Sequence, residues 1–544
     1  MGWSARGVAV AVLVSVTAAC ASVPEGAPGA PGPAGSAGTE APGAAPSAPH
    51  PTGTAAAEPV PEDCETSAAY PKRQMRGVWI ATVRNIDWPS KPGLSVREQQ
   101  EELTAQLDRA VELGLNAVFF HVRPTADAVY ASELEPWARY LTGRQGGDPG
   151  YDPLEFAVAQ AHERGLELHA WFNPYRVGRQ EADLDHLVDD HPVRRHPDWL
   201  ITYDGQGYLD PGNPEAREWV VDVVADVVER YDVDGVHFDD YFYPYPAQGE
   251  AFDDDASWQA HGDGFADRAA WRRDNVNQLI RQVHERVEQT KPWVRFGVSP
   301  FGIWRNRSSD PSGSDTSGLQ SYDALHADTR AWIREGWIDY VVPQLYWPQG
   351  FAAADYAELA PWWAEEVAGT GVDLYIGQAA YRVGEDGWKG ADALSRQLDF
   401  NTAHPEITGD VYFSMKDLDG RARQAVERVA ADHYTRPALP PVADDAQGAP
   451  APVAGLTAEA DAEGVTLSWT GADDARAYAV YRVPADADAC ALADAEHLVA
   501  VVGGGRDSYR DAHTGSGAVR YHVTVLDAFR VESAPGEGVV VDRG

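Results

Sequence analysis

Eight short apolar runs, each followed by polar residues and then a helical pattern, dominate the middle of the chain and limit what it can become. They are GVWIATV (77–83), NAVFFHVRP (116–124), ELHAWFNPY (167–175), DGVHFDDYF (234–242), RFGVSPFG (295–302), IDYVVPQLYW (338–347), DLYIGQAAYRVG (373–384) and GDVYFSMKDL (409–418). Apolar runs this short read as buried strands. Strands that alternate with helices build parallel sheets. Intervening segments such as REQQEELTAQLDRAVELG and PLEFAVAQAHERG end on a glycine suited to a helix C-cap. Eight strand–helix units across residues 69–436 predict an α/β fold, a (β/α)8 TIM barrel with inserted loops. A doubly wound open sheet is the competing arrangement. It usually announces itself with a glycine-rich phosphate turn after the first strand, and TVRNIDWPSKPG is not one.

The flanking segments have other compositions. Arg6 precedes the apolar run GVAVAVLVSVTAAC, which has signal-peptide length and is short for a membrane span. Thr17-Ala18-Ala19-Cys20 resembles a bacterial lipobox, with Thr17 where Leu is more usual. That resemblance implies a lipoprotein signal peptide over 1–20 and a membrane anchor at Cys20; an ordinary secretory signal is the alternative. Residues 21–62 are Ala, Pro, Gly, Ser and Thr with few large apolar side chains. Such a stretch cannot bury enough surface to fold, so 21–68 is expected to be a tether. A second Pro/Ala/Asp-rich linker covers 437–452. From 453 to 542 the period changes to strict alternation, as in GVTLSWT and AYAVYRV, which predicts an all-β sandwich. Trp469 on an early strand and Tyr521 at the start of a late one resemble the fibronectin type III pattern. Spacer, folding partner and glycan or protein binding all remain open for this unit.

Charge and cysteine usage narrow the function classes. The chain carries 84 acidic and 44 basic residues, a formal net charge of −40. Nucleic-acid binding needs a basic footprint and is not expected. Beyond Cys20 the cysteines are Cys64 and Cys490. In an exported protein they can form a disulfide or remain two thiols. No Cys/His spacing fits a zinc site, and no phosphate loop, haem motif or nucleotide fingerprint appears, so neither metal nor cofactor is expected.

Alternation places the chemistry. In DGVHFDDYF, the bulky Val236 and Phe238 suit the helix layer, which points His237, Asp239 and Tyr241 into the barrel, with Asp240 at the strand tip. The third run turns His169, Trp171 and Asn173 inward, and the second turns His121 and Arg123 to one face. The sixth offers Gln344 and Tyr346 with Trp347 adjacent; the first offers Trp79, and the eighth Ser414 and Lys416. Aromatic faces with donors and acceptors, gathered at strand ends, make a sugar pocket.

The segments PKRQMRGVWIATVRNIDWPS, HAWFNPYR, DGVHFDDYFYP, SPFGIWRN and PQLYW resemble the glycoside-hydrolase-like family 10 of bacterial envelope proteins. The resemblance covers the central domain. It implies a TIM-barrel glycoside hydrolase, often lipid-anchored, with a polysaccharide such as peptidoglycan as substrate. Its motif positions here are Arg76, Trp79, Asn173, Arg176, Asp239, Asp240, Gln344 and Tyr346, together with the Trp304-Arg305-Asn306 loop. Chitinase-type barrels read D-G-x-D-x-D-x-E on their fourth strand. This chain has Asp234, Gly235 and Asp239 but His237 and Tyr241 at the other two places, so that mechanism lacks its acid.

Glycoside hydrolysis normally needs two carboxyl groups. Asp239 is expected as nucleophile or base. Asp240 is the nearest second carboxylate, but neighbours on a strand point opposite ways, so the two flank one bond only if the strand kinks. Asp127, Glu135, Asp386 and Asp417 are the other candidates. The expected activity is hydrolysis of envelope polysaccharide. The alternatives are a non-catalytic glycan-binding scaffold and metal-dependent chemistry on Asp239, Asp240 and His237.

Overall fold

The computed structural model describes residues 60–543 apart from Glu62, Asp190, Asp444, Asp445 and Gln447. Cys20 and the signal segment lie outside the described residues, as does most of the tether. All eight expected strands form: β1 (Met75–Ile80), β2 (Ala117–Arg123), β3 (Glu167–Phe172), β4 (Gly235–Phe238), β5 (Arg295–Val298), β6 (Tyr340–Val341), β7 (Asp373–Gln378) and β8 (Ile407–Tyr412). They pair in parallel with their chain neighbours, and β8 pairs with β1, so the sheet is a closed barrel rather than an open one.

Helices follow each strand, the longest after each being α1 (Val96–Glu112), α2 (Pro153–Glu163), α3 (Pro214–Arg230), α4 (Arg268–Thr290), α5 (Thr329–Arg334), α6 (Tyr356–Val367), α7 (Ser395–Asn401) and α8 (Arg423–Asp432). Local chemistry sets their ends. Ser95 and Glu98 form a reciprocal capping box at the start of α1, and Asp152 accepts from the Leu154 and Glu155 amides ahead of α2, with Pro153 in its first turn. The turns after α1 and α2 pass through Gly114 and Gly165 at φ +74° and +72°, a left-handed conformation that favours glycine.

The two faces of each strand divide as alternation requires. Val236 and Phe238 are fully buried in the helix layer, where Phe238 packs on Phe172 and Phe296. The barrel interior is crowded with rings, and glycines make room for them. A Cβ on Gly77 would stand 2.6 Å from the Phe119 ring, and one on Gly297 would overlap Tyr340.

Residues beyond the barrel form two antiparallel sheets. Strands β9 (Ala454–Asp461), β10 (Gly464–Thr470), β11 (Ala477–Pro484), β12 (Leu498–Gly503), β13 (Ser508–Asp511), β14 (Ala518–Leu526) and β15 (Val539–Asp542) are ordered β9-β10-β13 and β12-β11-β14-β15. Trp469 packs on Tyr478 between them, and the Tyr521 hydroxyl donates to Asp511 Oδ2 at 2.8 Å. This unit is fastened to the barrel. Cys64 and Cys490 form a disulfide. Lys72 pairs with Glu532 at 2.7 Å, and Leu439 joins the core formed by Tyr481, Leu498 and Leu526. No helix among the described residues is long and apolar enough to cross a membrane.

Candidate active site

β4 stops at Phe238, so Asp239 and Asp240 leave the strand geometry at its C-terminal end. Release from the pleat removes the opposite-faces restriction. Both carboxylates turn into the mouth and lean to different sides. Asp239 Oδ2 accepts from Trp171 Nε1 at 3.2 Å and Asn173 Nδ2 at 3.3 Å, on the β3 side, while Oδ1 accepts from the Tyr241 amide at 3.1 Å. Asp240 Oδ1 accepts from Gln344 Nε2 at 3.1 Å, on the β6 side, and Oδ2 accepts from the Tyr245 hydroxyl. Gln344 is itself held by the Ser299 carbonyl at 3.1 Å. The two acids are 6% and 5% exposed.

Burial without a dedicated counter-ion sets their protonation. The Asp239 carboxyl is pushed up to about 7, first by burial and then by the charge of Asp240, against the Tyr241 amide, Arg176 and Trp171. Asp240 is also raised by burial, but the Tyr245 hydroxyl, Gln344 and Arg176 oppose the shift. Neighbouring acids of unequal proton affinity can divide acid and base roles. Arg176 is the nearby cation. Its guanidinium lies 3.7 Å over the Tyr241 ring, and its amide donates to Asn173 Oδ1 at 3.0 Å.

Half-buried aromatics surround the pair. Phe413, just after β8, packs against Trp171, Tyr346 and Tyr381 at 6.5, 6.4 and 6.1 Å between ring centres. On the other side Tyr241 meets Tyr245, Tyr245 meets Phe301, and Phe301 meets Trp347. Trp171 is braced from behind by His121, stacked at 3.7 Å with the rings 7° from parallel. A rim of ring faces around two carboxyls and an arginine is suited to a pyranose chain.

The profile of the family Glycosyl hydrolase-like 10 matches residues 74–392. The chain belongs to this family. Glycosyl hydrolase YngK of Bacillus subtilis (strain 168) is 50% identical over 378 residues, 69% of this chain and 74% of that protein. Glycosyl hydrolase DigH of Escherichia coli (strain K12) is 44% identical over 362 residues, 62% of this chain and 82% of that protein. The glycosyl hydrolase-like 10 match ends before β8, so Phe413 lies outside it.

Within this family member, the expected residues fall into two groups. Asp239, Asp240, Trp171, Asn173, Arg176, Tyr241, Gln344, Tyr346 and Trp347 come together at the mouth, through the contacts above. The others do not line it. Trp79, His169 and His237 are 2%, 0% and 0% exposed and sit along the barrel axis, bonded to one another or to Tyr340. Both ring nitrogens of His237 are engaged there, so it does not join the aspartates as a third metal ligand. Among the described residues no group of three His, Cys, Asp or Glu side chains could hold a metal ion.

Arg123 departs from the expected face because the β2–β3 register shifts between His121 and Arg123, which brings Arg123 opposite the outward Phe172. Its Nε and NH2 donate to Glu135 at 2.7 and 2.6 Å, and NH1 donates to the Asn173 and Pro174 carbonyls. It braces the β3 loop from behind. Trp304 packs flat on Trp362 at 6.1 Å beneath Arg330, away from the rim. Arg76 donates to the Arg436 carbonyl and lies over the Tyr434 ring. Ser414 is buried, bonded to Asp87, while Lys416 is exposed.

The same sorting applies to the candidate acids. Glu135 is consumed by Arg123, Asp127 is fully buried against Thr125, and Asp386 is exposed beside Lys389. Asp417 is buried near Tyr381. Sequence reasoning missed Tyr245, Phe301, Tyr381 and Phe413. Tyr245 directly follows the segment DGVHFDDYFYP, and Phe301, Tyr381 and Phe413 stand within the fifth, seventh and eighth apolar runs.

Proposed function

We propose that the protein is an exported glycoside hydrolase, anchored through Cys20, that cleaves cell-envelope polysaccharide at the mouth of its barrel, with peptidoglycan glycan strands as the first substrate to try. The observation that carries the reading is the Asp239–Asp240 pair: two adjacent buried carboxyls, one held from the β3 side and one from the β6 side, inside an aromatic rim. Membership of a glycosyl hydrolase-like family supports it, and so does the chemistry of the signal segment.

In this reading the roles expected from sequence are exchanged. Asp239, protonated up to about pH 7, gives its proton to the glycosidic oxygen as the C1–O bond breaks. Asp240 carries negative charge beside the sugar as it acquires oxocarbenium character and assists the water that completes hydrolysis. Trp171 and Asn173 orient Asp239 by hydrogen bonds, Arg176 adds a nearby positive charge, and the rim aromatics stack on the sugar faces. Residues 453–542 are a fibronectin type III-like domain.

The test is release of reducing ends from denuded peptidoglycan strands and a polysaccharide panel, by the wild type and by Asp239→Asn. Cleavage by the wild type alone supports the reading. Binding without cleavage by either protein would point to a glycan-binding scaffold. Equal cleavage by both would remove Asp239 from the mechanism.

A further inference from the structure

Glu167 opens β3 and Asp234 precedes β4, so both stand at the end of the barrel opposite the mouth. They are 4% and 5% exposed. A buried acid stays ionised only with a partner, and the C-terminal domain supplies it. Arg530, in the turn after β14, is itself 5% exposed. Its Nε donates to Glu167 Oε1 at 2.5 Å, and its NH2 donates to Asp234.

A file of hydrogen bonds climbs the barrel axis from Glu167. Glu167 Oε2 meets His169 Nε2 at 2.9 Å, and His169 Nδ1 meets the Tyr340 hydroxyl at 2.9 Å. That hydroxyl meets His237 Nδ1 at 3.3 Å, and His237 Nε2 meets Trp79 Nε1 at 3.2 Å. The two ends of the file determine its protons. An indole N–H only donates, so His237 Nε2 accepts and His237 Nδ1 carries the hydrogen. A carboxylate only accepts, so His169 Nε2 carries a hydrogen. The Tyr340 hydroxyl can then accept from His237 and donate to His169 Nδ1. At the upper end, Trp79 packs on Phe413 of the aromatic rim, 6.0 Å between ring centres.

We propose that Arg530 is a positioning residue of the barrel: by holding Glu167 as a carboxylate, it keeps a proton on His169 Nε2 and orders the file that ends at Trp79 beneath the rim. The C-terminal domain then completes the interior of the barrel rather than serving as a spacer. With a neutral residue at 530, Glu167 keeps its burial and loses its hydrogen-bonded counter-charge, while Arg476, the other cation nearby, stays paired with Asp232 and Asp234. Glu167 takes up and keeps a proton, and the neutral carboxyl donates a hydrogen bond to His169 Nε2, which gives up its own hydrogen. The ring hydrogen moves to Nδ1, and the Tyr340 hydroxyl turns to the Val236 carbonyl, 3.3 Å away.

The test is long-range proton–nitrogen correlation spectroscopy on the full chain labelled with ¹⁵N-histidine, with the His169 signals identified by their loss in His169→Gln. This readout does not depend on hydrolysis. The wild type is expected to show a protonated Nε2 on His169. Arg530→Met is expected to show the proton on Nδ1 alone, and Arg530→Lys, which keeps the charge, the wild-type pattern. A folded Arg530→Met with the wild-type pattern overturns the proposal. Should that variant not fold, the remaining spectra decide: a His169 Nε2 without a proton in the wild type or in Arg530→Lys overturns it, and a protonated Nε2 in both supports it.

Discussion

Burial and the neighbouring charge of Asp240 keep the Asp239 carboxyl protonated up to about pH 7, against an ordinary value of 3.8. Two consequences follow at the scale of this residue. As a proton donor it fails once ionised, so kcat/KM for glycan cleavage should fall as pH rises above about 7. Asp239→Asn should lower kcat by roughly 10²–10⁴-fold, the range for a positioned acid. The second consequence concerns stability. The folded protein holds a proton here that the unfolded chain releases between about pH 4 and pH 7, so stability is lost as pH rises through that window. Asp239→Asn removes this loss. Its thermal midpoint should exceed the wild type's by more at pH 8 than at pH 5, through a difference of up to about 3 kcal/mol, the two units between pH 5 and pH 7 at 1.36 kcal/mol per unit. Equal differences at both pH values would mean that Asp239 titrates normally.

At the scale of the element, β2 shows how one extra residue redirects chemistry. Alternation alone puts Arg123 beside His121, and the register shift after His121 sends it into a buried pair with Glu135. Breaking such a pair typically costs about 3–5 kcal/mol. Arg123→Met should therefore lower stability by that order in urea denaturation, while the folded variant keeps its glycan affinity. A variant that folds well but binds glycan poorly would return Arg123 to the pocket. The strand interiors make a second case. A methyl on Gly297 would overlap Tyr340, which backs both His169 and His237. Gly297→Ala should cost about 1–3 kcal/mol through overpacking, read as a lowered denaturation midpoint.

At the scale of the whole molecule, the C-terminal sheets and the barrel share contacts that loosely tethered domains would lack. Arg476 bridges to Asp232, Arg530 reaches Glu167, and Cys490 is bonded to Cys64. Differential scanning calorimetry should show one transition for both parts. Reduction of the disulfide should lower stability by about 2–4 kcal/mol. Two separate transitions in the oxidised protein would show that the interface contributes little to folding.

The architecture was legible in the sequence because it rests on local signals. Apolar runs repeat eight times, capping residues and glycine stops bound some of the helices between them, and alternation along one strand separates Phe238 from His237 without knowledge of any neighbour. The family was legible through long motifs that survive as contiguous strings. What only the tertiary structure decided were relations between distant segments. These include the shift that removes Arg123, the meeting of Asp240 with Gln344, and the half-buried rim that Phe413 and Tyr381 complete. Arg530 is the clearest case. It reads in sequence as a turn residue of a separate domain, and its chemistry depends on two carboxylates 363 and 296 positions away. Periodicity reports which face a side chain takes, whereas the charge it meets there is set by which surfaces the closed barrel brings against one another.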